Sequence, residues 1–527
     1  MTITSRSAAP DTGVPGRQVS SAEDASALSE LGYRQELHRG IGAYAAFASG
    51  FSFVSILTTV FALFALGFGL GGPAFFFTWP IVFVCQFCVC LVFAELSGKF
   101  PVAGAIYQWS RRLAGEGVGW FAGWFMLIGY IVSVAALAIA MQSVLPSIWS
   151  GFQFIGSDPS LTSVSGATNG IVLGSATIAL CTLISSLGVS FMGKITVTGV
   201  TVEIIGVVVL VVLMFVKAER TPVAAVADTG GHGSGLGYFP AFLASMLMAA
   251  YVMYGFDSAA ELSEETRNPR KTAPRAIITA LLASFIGGGL MIIGALMAAP
   301  SLGAPELSTE GIAWVITSQL DSTMGKILLS VVAVAIFSAT LAIQASASRV
   351  MFSMARDNRL PFGTLLARVN PRTGTPVITG TAVSALSILV LLINLGQAGV
   401  FAAITSVSVV IVYLAYLMVT VPALVHRIRG RSLTYGKPIL DLGRWGLPVN
   451  LVAVVMGTGL MVNIAWPREE VYDPAGTSWF LHYFAVIFLA GSTVLGILAY
   501  LRVRSLPATS PPPADRVTLT EPTKGAS

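Results

Sequence analysis

Long apolar runs alternate with short polar stretches along almost the whole chain. Twelve runs are predicted as spans, near 42–67, 73–97, 118–145, 168–192, 196–216, 238–262, 275–299, 325–352, 376–396, 398–424, 447–466 and 479–501. A helix of roughly 20 apolar residues crosses the hydrocarbon core of a bilayer. In lipid every backbone polar group needs an internal partner, which a helix supplies within one segment. Runs of this length, rich in Leu, Ile, Val, Phe, Ala and Gly, therefore predict an all-α polytopic membrane protein. The two ends, about 1–40 and 502–527, are rich in Ser, Thr, Pro and charge and are expected to be disordered.

Composition sharpens this picture. The chain has 527 residues, 55% hydrophobic and 10% charged, and a mean hydropathy of +0.80. Soluble domains carry about 25% charged residues. The net charge of +5 does not point to nucleic acid, because the basic residues lie between apolar runs. With both termini cytosolic, 26 of the 30 Lys and Arg fall on the cytosolic side, and only Lys217, Arg220, Lys326 and Arg468 fall outside. That bias fixes the expected orientation, and a missed span would scramble it. The first 40 residues lack an apolar core, so no cleaved signal peptide is expected. The expected location is the plasma membrane.

Polar residues inside the spans carry the chemistry. Residues 251–274, YVMYGFDSAAELSEETRNPRKTAP, begin as a span and end as a loop. Gly255 marks a place where the helix can break, and Asp257 follows it. A carboxylate within an apolar span is expensive and marks function by default. Freed backbone is tolerated in a membrane only where it lines a cavity or protein. Glu261 lies one turn on and reads equally as site or surface; Glu264 and Glu265 read as surface. Span 1 carries Ser52, Ser55, Thr58 and Thr59 at helical spacing, which fits either helix packing or a second interrupted helix. Two disrupted helices five spans apart point to an inverted-repeat transporter.

Three other spans hold polar groups. Glu95, near the end of span 2, fits either a gate ion pair or the interface. Tyr107 and Trp109 suit an interfacial belt. Glu203 stands alone in span 5 and must face a cavity or partner, or stay protonated. Ser338, Thr340, Gln344 and Ser346 in span 8 fit helix packing. Cys85, Cys88, Cys90 and Cys181 read as buried thiols. The four His are scattered, and there is no GxxxxGK[ST] loop, no GxSxG and no TVGYG-like filter. No cofactor or metal is expected.

Four stretches, in order, carry a family resemblance: GFGLGGPAFFFTWP, AELSGKFPVAGAIYQWS, YGFDSAAELSEETRNPRKTAPRAI, and ASASRVMFSMARDNRLPF with the following PRTGTPV. Over about residues 40–500 the chain resembles the amino acid–polyamine–organocation superfamily, within it the amino acid/choline permease branch. The resemblance implies a LeuT-type 5+5 inverted repeat plus two C-terminal helices. Repeat one would be about 42–216, repeat two about 238–424 and the extra helices about 447–501, within a permease domain over 41–501. It implies that backbone at the breaks of spans 1 and 6 holds a substrate's carboxylate and amine. Ser52, Phe53, Ser55, Thr58, Tyr251, Tyr254, Gly255, Phe256 and Asp257 become the expected substrate residues. Asp257, Glu203, Glu261 and Glu95 become the expected coupling and gating residues, with Asp257 matching an acidic position linked to proton-dependent gating in some relatives.

The chain departs from the family in two places. Span 1 reads SFVSILTTVF where relatives carry a glycine-rich break. Glu203 stands near where proton-coupled relatives place a Lys in span 5. The resemblance implies a secondary transporter of amino acids or related amines (GABA, polyamine or choline-like), with proton-coupled uptake. An exchanger is the alternative within transport, and a transporter-like receptor the alternative outside it.

Overall fold

The computed structural model describes residues 24, 26, 28–161, 163–232, 237–320, 322–395, 400–430, 440–472, 476 and 479–506. The N-terminal residues 1–23 and C-terminal residues 507–527 of the expected disordered tails lie outside them. Among the described residues the regular elements are helices, and an isolated parallel bridge joins Ile41 to Thr266. Ten helices among the described residues are long and apolar enough to cross a membrane, which makes this a multi-pass membrane protein.

Span 1 is split into α1 (Ala43–Val54) and α2 (Ile56–Gly71). Span 2 is α3 (Thr78–Lys99), and a shorter amphipathic helix follows, α4 (Ala105–Ala114). Then come α5 (Glu116–Ile139), α6 (Val164–Ser186) and α7 (Val189–Val216). The sixth expected span holds a shorter apolar helix, α8 (Phe239–Val252), and a single turn, α9 (Ser258–Glu261). After it run α10 (Pro269–Ala298), α11 (Ser322–Arg356), the shorter α12 (Val377–Leu392), α13 (Val400–Ile428), α14 (Gly446–Ala465) and α15 (Phe484–Val503).

One contiguous core runs through the bundle. The halves of the broken helices pack on unbroken ones, α1 on α10 and α8 on α3, while α2 packs on α8. Alongside them α5 packs on α11 and α13. The outward faces are apolar as well: Ile205, Val208 and Val212 on α7 and Val494, Leu495 and Leu498 on α15 are exposed. In water such faces would be unfavourable, whereas in a bilayer they meet lipid tails. Polar residues of span 8 serve packing: the Gln344 amide donates to Thr182 of α6 at 2.8 Å and also to Ser384 of α12.

Candidate functional site

Both expected breaks are present and they meet. Span 1 breaks at Ser55, which takes φ 39° and ψ 71°. A residue with a Cβ avoids this left-handed region at a cost of roughly 1–2 kcal/mol. Here the side chain offsets that cost. The Ser55 hydroxyl lies 2.8 Å from Thr58 Oγ1 and 3.0 Å from Glu203 Oε1. The Leu57 N–H, left without an intrahelical partner at the start of α2, donates to the same Glu203 oxygen at 3.3 Å. A serine and a buried glutamate thus do the work that glycine does in the family pattern.

Span 6 breaks after Val252 and resumes as a helical turn at Ser258. Gly255 sits at φ +86°, and a Cβ there would lie 1.8 Å from the Phe53 ring. Both facts demand glycine. Its N–H donates to the Tyr416 hydroxyl at 2.9 Å. Tyr416 in turn donates to Asp257, and Tyr130 donates to the other Asp257 oxygen at 2.9 Å. Asp257 is fully buried. A buried carboxylate needs such donors, and here they come from α5 and α13, which ties the break to both helices.

Between the breaks lies a cavity of about 70 Å³. Phe53, Thr58, Tyr251, Tyr254, Ser133 and Ser408 contribute to its wall. It has room for a few waters and is far below the roughly 300 Å³ of a small-molecule pocket. Asp257 does not line it. The Phe53 ring does, and packs 5.3 Å from the ring of Tyr130, whose hydroxyl holds Asp257. Tyr251 reaches Tyr472 at 3.3 Å between hydroxyls. Phe256 turns away from the cavity, into a ring cluster with Phe93 and Tyr416. Ser52 is buried with no hydrogen-bond partner for its hydroxyl among the described residues. A larger apolar cleft of about 1040 Å³ opens elsewhere, between the end of α2, the start of α8 and α14. The site is better placed at the small cavity, because both breaks converge there and the cleft touches neither.

One end of the bundle is sealed by buried ion pairs, and here several sequence expectations need correction. Glu264 and Glu265 are not on the surface; both are fully buried. Arg356 grips Glu264 with two bonds, at 2.7 and 3.0 Å. Arg349 grips Glu265 in the same way, at 2.9 and 3.0 Å. The sequence signal was the basic tail of span 8, whose forked guanidinium groups match carboxylates bidentately. Glu261 is also buried, and accepts the Ile106 N–H at 3.4 Å at the start of α4. Glu95 pairs with Lys99 at 2.6 Å and with Arg427. Tyr107 and Trp109 are buried rather than interfacial, because α4 tucks back into the bundle.

The N-terminal segment closes this end. Residues 28–40 were expected to belong to a disordered tail, yet Leu28, Tyr33 and Leu37 are buried. The Tyr33 hydroxyl donates to Asp357 at 3.0 Å, and its ring lies 4.2 Å from the Arg356 guanidinium. Asp357 also receives Tyr107 at 2.8 Å and Arg111 at 2.6 Å. Burial and the Asp357 carboxylate hold the Tyr33 phenol above its usual range, so it remains a donor. Sequence reasoning missed Tyr33, Tyr130, Tyr416 and Asp357. The signal for two of them was a tyrosine deep in an apolar span, whose hydroxyl has to find a partner.

These features define a class: an all-helical membrane protein with two interrupted helices around a small, mostly apolar cavity and an ion-paired seal at one end. The family model described as "Amino acid permease" matches residues 41–499. The chain belongs to the amino acid permease family of the amino acid–polyamine–organocation superfamily, and is a transporter rather than an enzyme. It is similar to the amino-acid permease BAT1 of Arabidopsis thaliana, 29% identical over 84% of this chain and 88% of the relative. It is 29% identical to the branched-chain amino acid permease BcaP of Lactococcus lactis, over 57% of this chain and 64% of the relative. With the GABA-specific permease of Saccharomyces cerevisiae it shares 26% identity over 70% and 66% of the two chains.

Proposed function

We propose that the chain is a secondary active transporter that takes up amino acids or related amines across the plasma membrane by alternating access, coupled to protons. The observation that carries this is the convergence of two helix breaks on a small cavity, with the buried Asp257 carboxylate held by Tyr130, whose ring packs on the cavity-lining Phe53. Backbone at Ser55–Leu57 and at Met253–Gly255, where Glu203 and Tyr416 now hold the Leu57 and Gly255 N–H groups, would supply donors and acceptors for a carboxylate and an amine once released. Ser52, Ser55 and Thr58 would hold the polar head, while Phe53, Tyr251 and Tyr254 close over it. Phe256 would act from behind, through Tyr416.

Asp257 would carry a proton rather than touch the amine. It is held by two tyrosine hydroxyls and is screened from the cavity by Phe53. Glu95 and Glu261 would belong to the gate. The sealed end would face the cytosol with both termini, since Arg111, Arg349, Arg356 and Arg427 gather there.

The 5+5 reading has support in the packing. Pairing each span with the one five later maps contacts onto contacts. α5 on α13 corresponds to α11 on α7, and α5 on α12 to α11 on α6. Likewise α5 on α6 corresponds to α11 on α12, and α1 on α10 to α8 on α3. Repeats over about 42–216 and 238–424, with α14 and α15 added over 447–501, would give twelve spans. Ten are the long apolar helices, and the other two contain α8 and α12.

Proteoliposomes carrying the purified protein and a panel of labelled amino acids, GABA, choline and polyamines test the function. Accumulation driven by an inward proton gradient is expected for at least one amino acid. Uptake that needs substrate inside and ignores the gradient would make the protein an exchanger. Binding with no flux of any kind would make it a receptor.

A further inference from the structure

We propose that the strap 468–472, which follows span 11, is a lid over the small cavity at the end away from the ion-paired seal, and that the Tyr472 hydroxyl latches it to span 6. The inference rests on the reading of that cavity as the substrate site. α14 starts beside the seal, where Asn450 accepts from Arg427, the partner of Glu95. Its 20 residues carry the chain about 30 Å away, at 1.5 Å per residue. Pro467 then stops the helix, because it has no N–H to give the Asn463 carbonyl four residues back. Trp466 before it is extended, at φ −63° and ψ 125°. Arg468 supplies the missing donor: its guanidinium reaches the Asn463 carbonyl at 2.5 Å and the Asn463 side-chain oxygen at 2.6 Å. This fastens the base of the strap to the end of α14.

A single helical turn, Glu469–Tyr472, points Val471 and Tyr472 inward, and they are only 5% and 3% exposed. The turn packs on α13. A buried tyrosine hydroxyl has to find a partner. Tyr472 donates to the Ile464 carbonyl of α14. Its oxygen is left to accept, and the Tyr251 hydroxyl lies 3.3 Å away as the donor. Tyr251 stands on the cavity wall. About two turns earlier α8 is tied to α14 again, where the Asn463 amide donates to the Leu243 carbonyl at 2.9 Å.

The strap stands where two spaces meet. On α2, Thr58 and Ala62 line the cavity, while Ala65 and Gly69 line the large cleft. Steps of three and four residues keep all four on one side of the helix, so the cleft continues the cavity along α2. On α8 the order is the same, with Tyr251 in the cavity and Leu243 in the cleft. Arg468, at the base of the strap, borders the cleft, and Tyr472, at its tip, meets the cavity wall. The cavity opens toward the cleft when α8 leaves α14, and that movement has to part Tyr251 from Tyr472. The latch comes from the chain that follows the two proposed repeats, so a helix added to the 5+5 core closes the site.

Maleimide labelling of the purified full-length protein tests this without substrate. Ser133 is buried on the cavity wall, and Ser133→Cys is the reporter in a background with the four native cysteines replaced. Tyr251→Phe removes only the bond across the latch and should raise the labelling rate about 2- to 12-fold, the range that one neutral hydrogen bond supports. Tyr472→Phe, which also gives up the Ile464 carbonyl, should raise it at least as much. Val102→Cys, beneath the N-terminal segment at the sealed end, should label at its usual rate in both variants. An unchanged rate at Ser133→Cys overturns the lid, and a rise at both reporters shows general loosening and overturns it too. A rise in Tyr472→Phe alone would mean that the Ile464 carbonyl holds the strap, which overturns the latch. Protection of Ser133→Cys by amino acids is read separately, and its absence beside an intact latch effect would count against the substrate reading alone.

Discussion

Tyr33→Phe will weaken the N-terminal latch while leaving its ring seated. The substitution deletes one hydroxyl. The ring keeps its burial against Val102 and its place 4.2 Å from the Arg356 guanidinium. What is lost is a donor to Asp357 at 3.0 Å and an acceptor for Gln108 at 3.0 Å and Arg111 at 3.3 Å, both of which keep their bonds to Asp357. A hydrogen bond to a charged group contributes about 1.5–3 kcal/mol. Asp357 keeps Tyr107, Gln108 and Arg111, so it is not left bare and the loss should not exceed that range. Every 1.4 kcal/mol is about tenfold in an equilibrium, so the segment 28–41 should lift about 10- to 150-fold more often. Val102 is fully buried beneath Leu28, Leu31 and Tyr33. With the four native cysteines replaced, Val102→Cys becomes a reporter, and its maleimide labelling rate in detergent should rise by the same factor in Tyr33→Phe. An unchanged rate would show that the hydroxyl contributes nothing to closure and that the segment is held by its apolar contacts alone.

Other outcomes follow from the same geometry. Gly255→Ala should abolish transport, since its Cβ would overlap the Phe53 ring at 1.8 Å in a left-handed backbone; near-normal uptake at normal expression would contradict the described break. Glu265→Gln leaves Arg349 buried without its carboxylate and should cost about 3–5 kcal/mol, seen as a lower melting temperature, whereas an unchanged one would mean that water reaches the pair. Pro10→Cys and Thr520→Cys should resist impermeant thiol reagents on intact cells if both termini are cytosolic; labelling at either reverses the proposed orientation.

Much of the fold could be read from the chain, because a membrane span needs only its own length and apolarity. Ten long helices fall on expected spans, and both breaks fall where polar residues interrupt apolar runs. The break in span 1 was legible only as a run of four hydroxyl residues that fitted helix packing equally well; that Ser55 is the one that breaks the helix came from the structure. Its partner Glu203 was legible only as a lone carboxylate, because the two lie 148 positions apart. The ion-paired seal was read least well. A run such as Glu264-Glu265 looks solvated in sequence, and only packing against Arg349 and Arg356 of α11 buries it. Tyr33 failed for a similar reason: thirteen short, polar-flanked residues carry no periodic pattern, and they are ordered by what they plug.

The central claim is that Asp257, at the break of span 6, couples transport to a proton. Asp257→Asn tests it most directly, with substrate binding and gradient-driven accumulation measured on the same purified protein. The asparagine keeps its size; its oxygen still accepts from one of Tyr130 and Tyr416, while its NH2 faces the other hydroxyl and donates to it. The account predicts binding close to wild type and no accumulation against a gradient, with exchange retained. Wild-type accumulation at normal expression would contradict it, and weakened binding would place Asp257 on the substrate's amine instead.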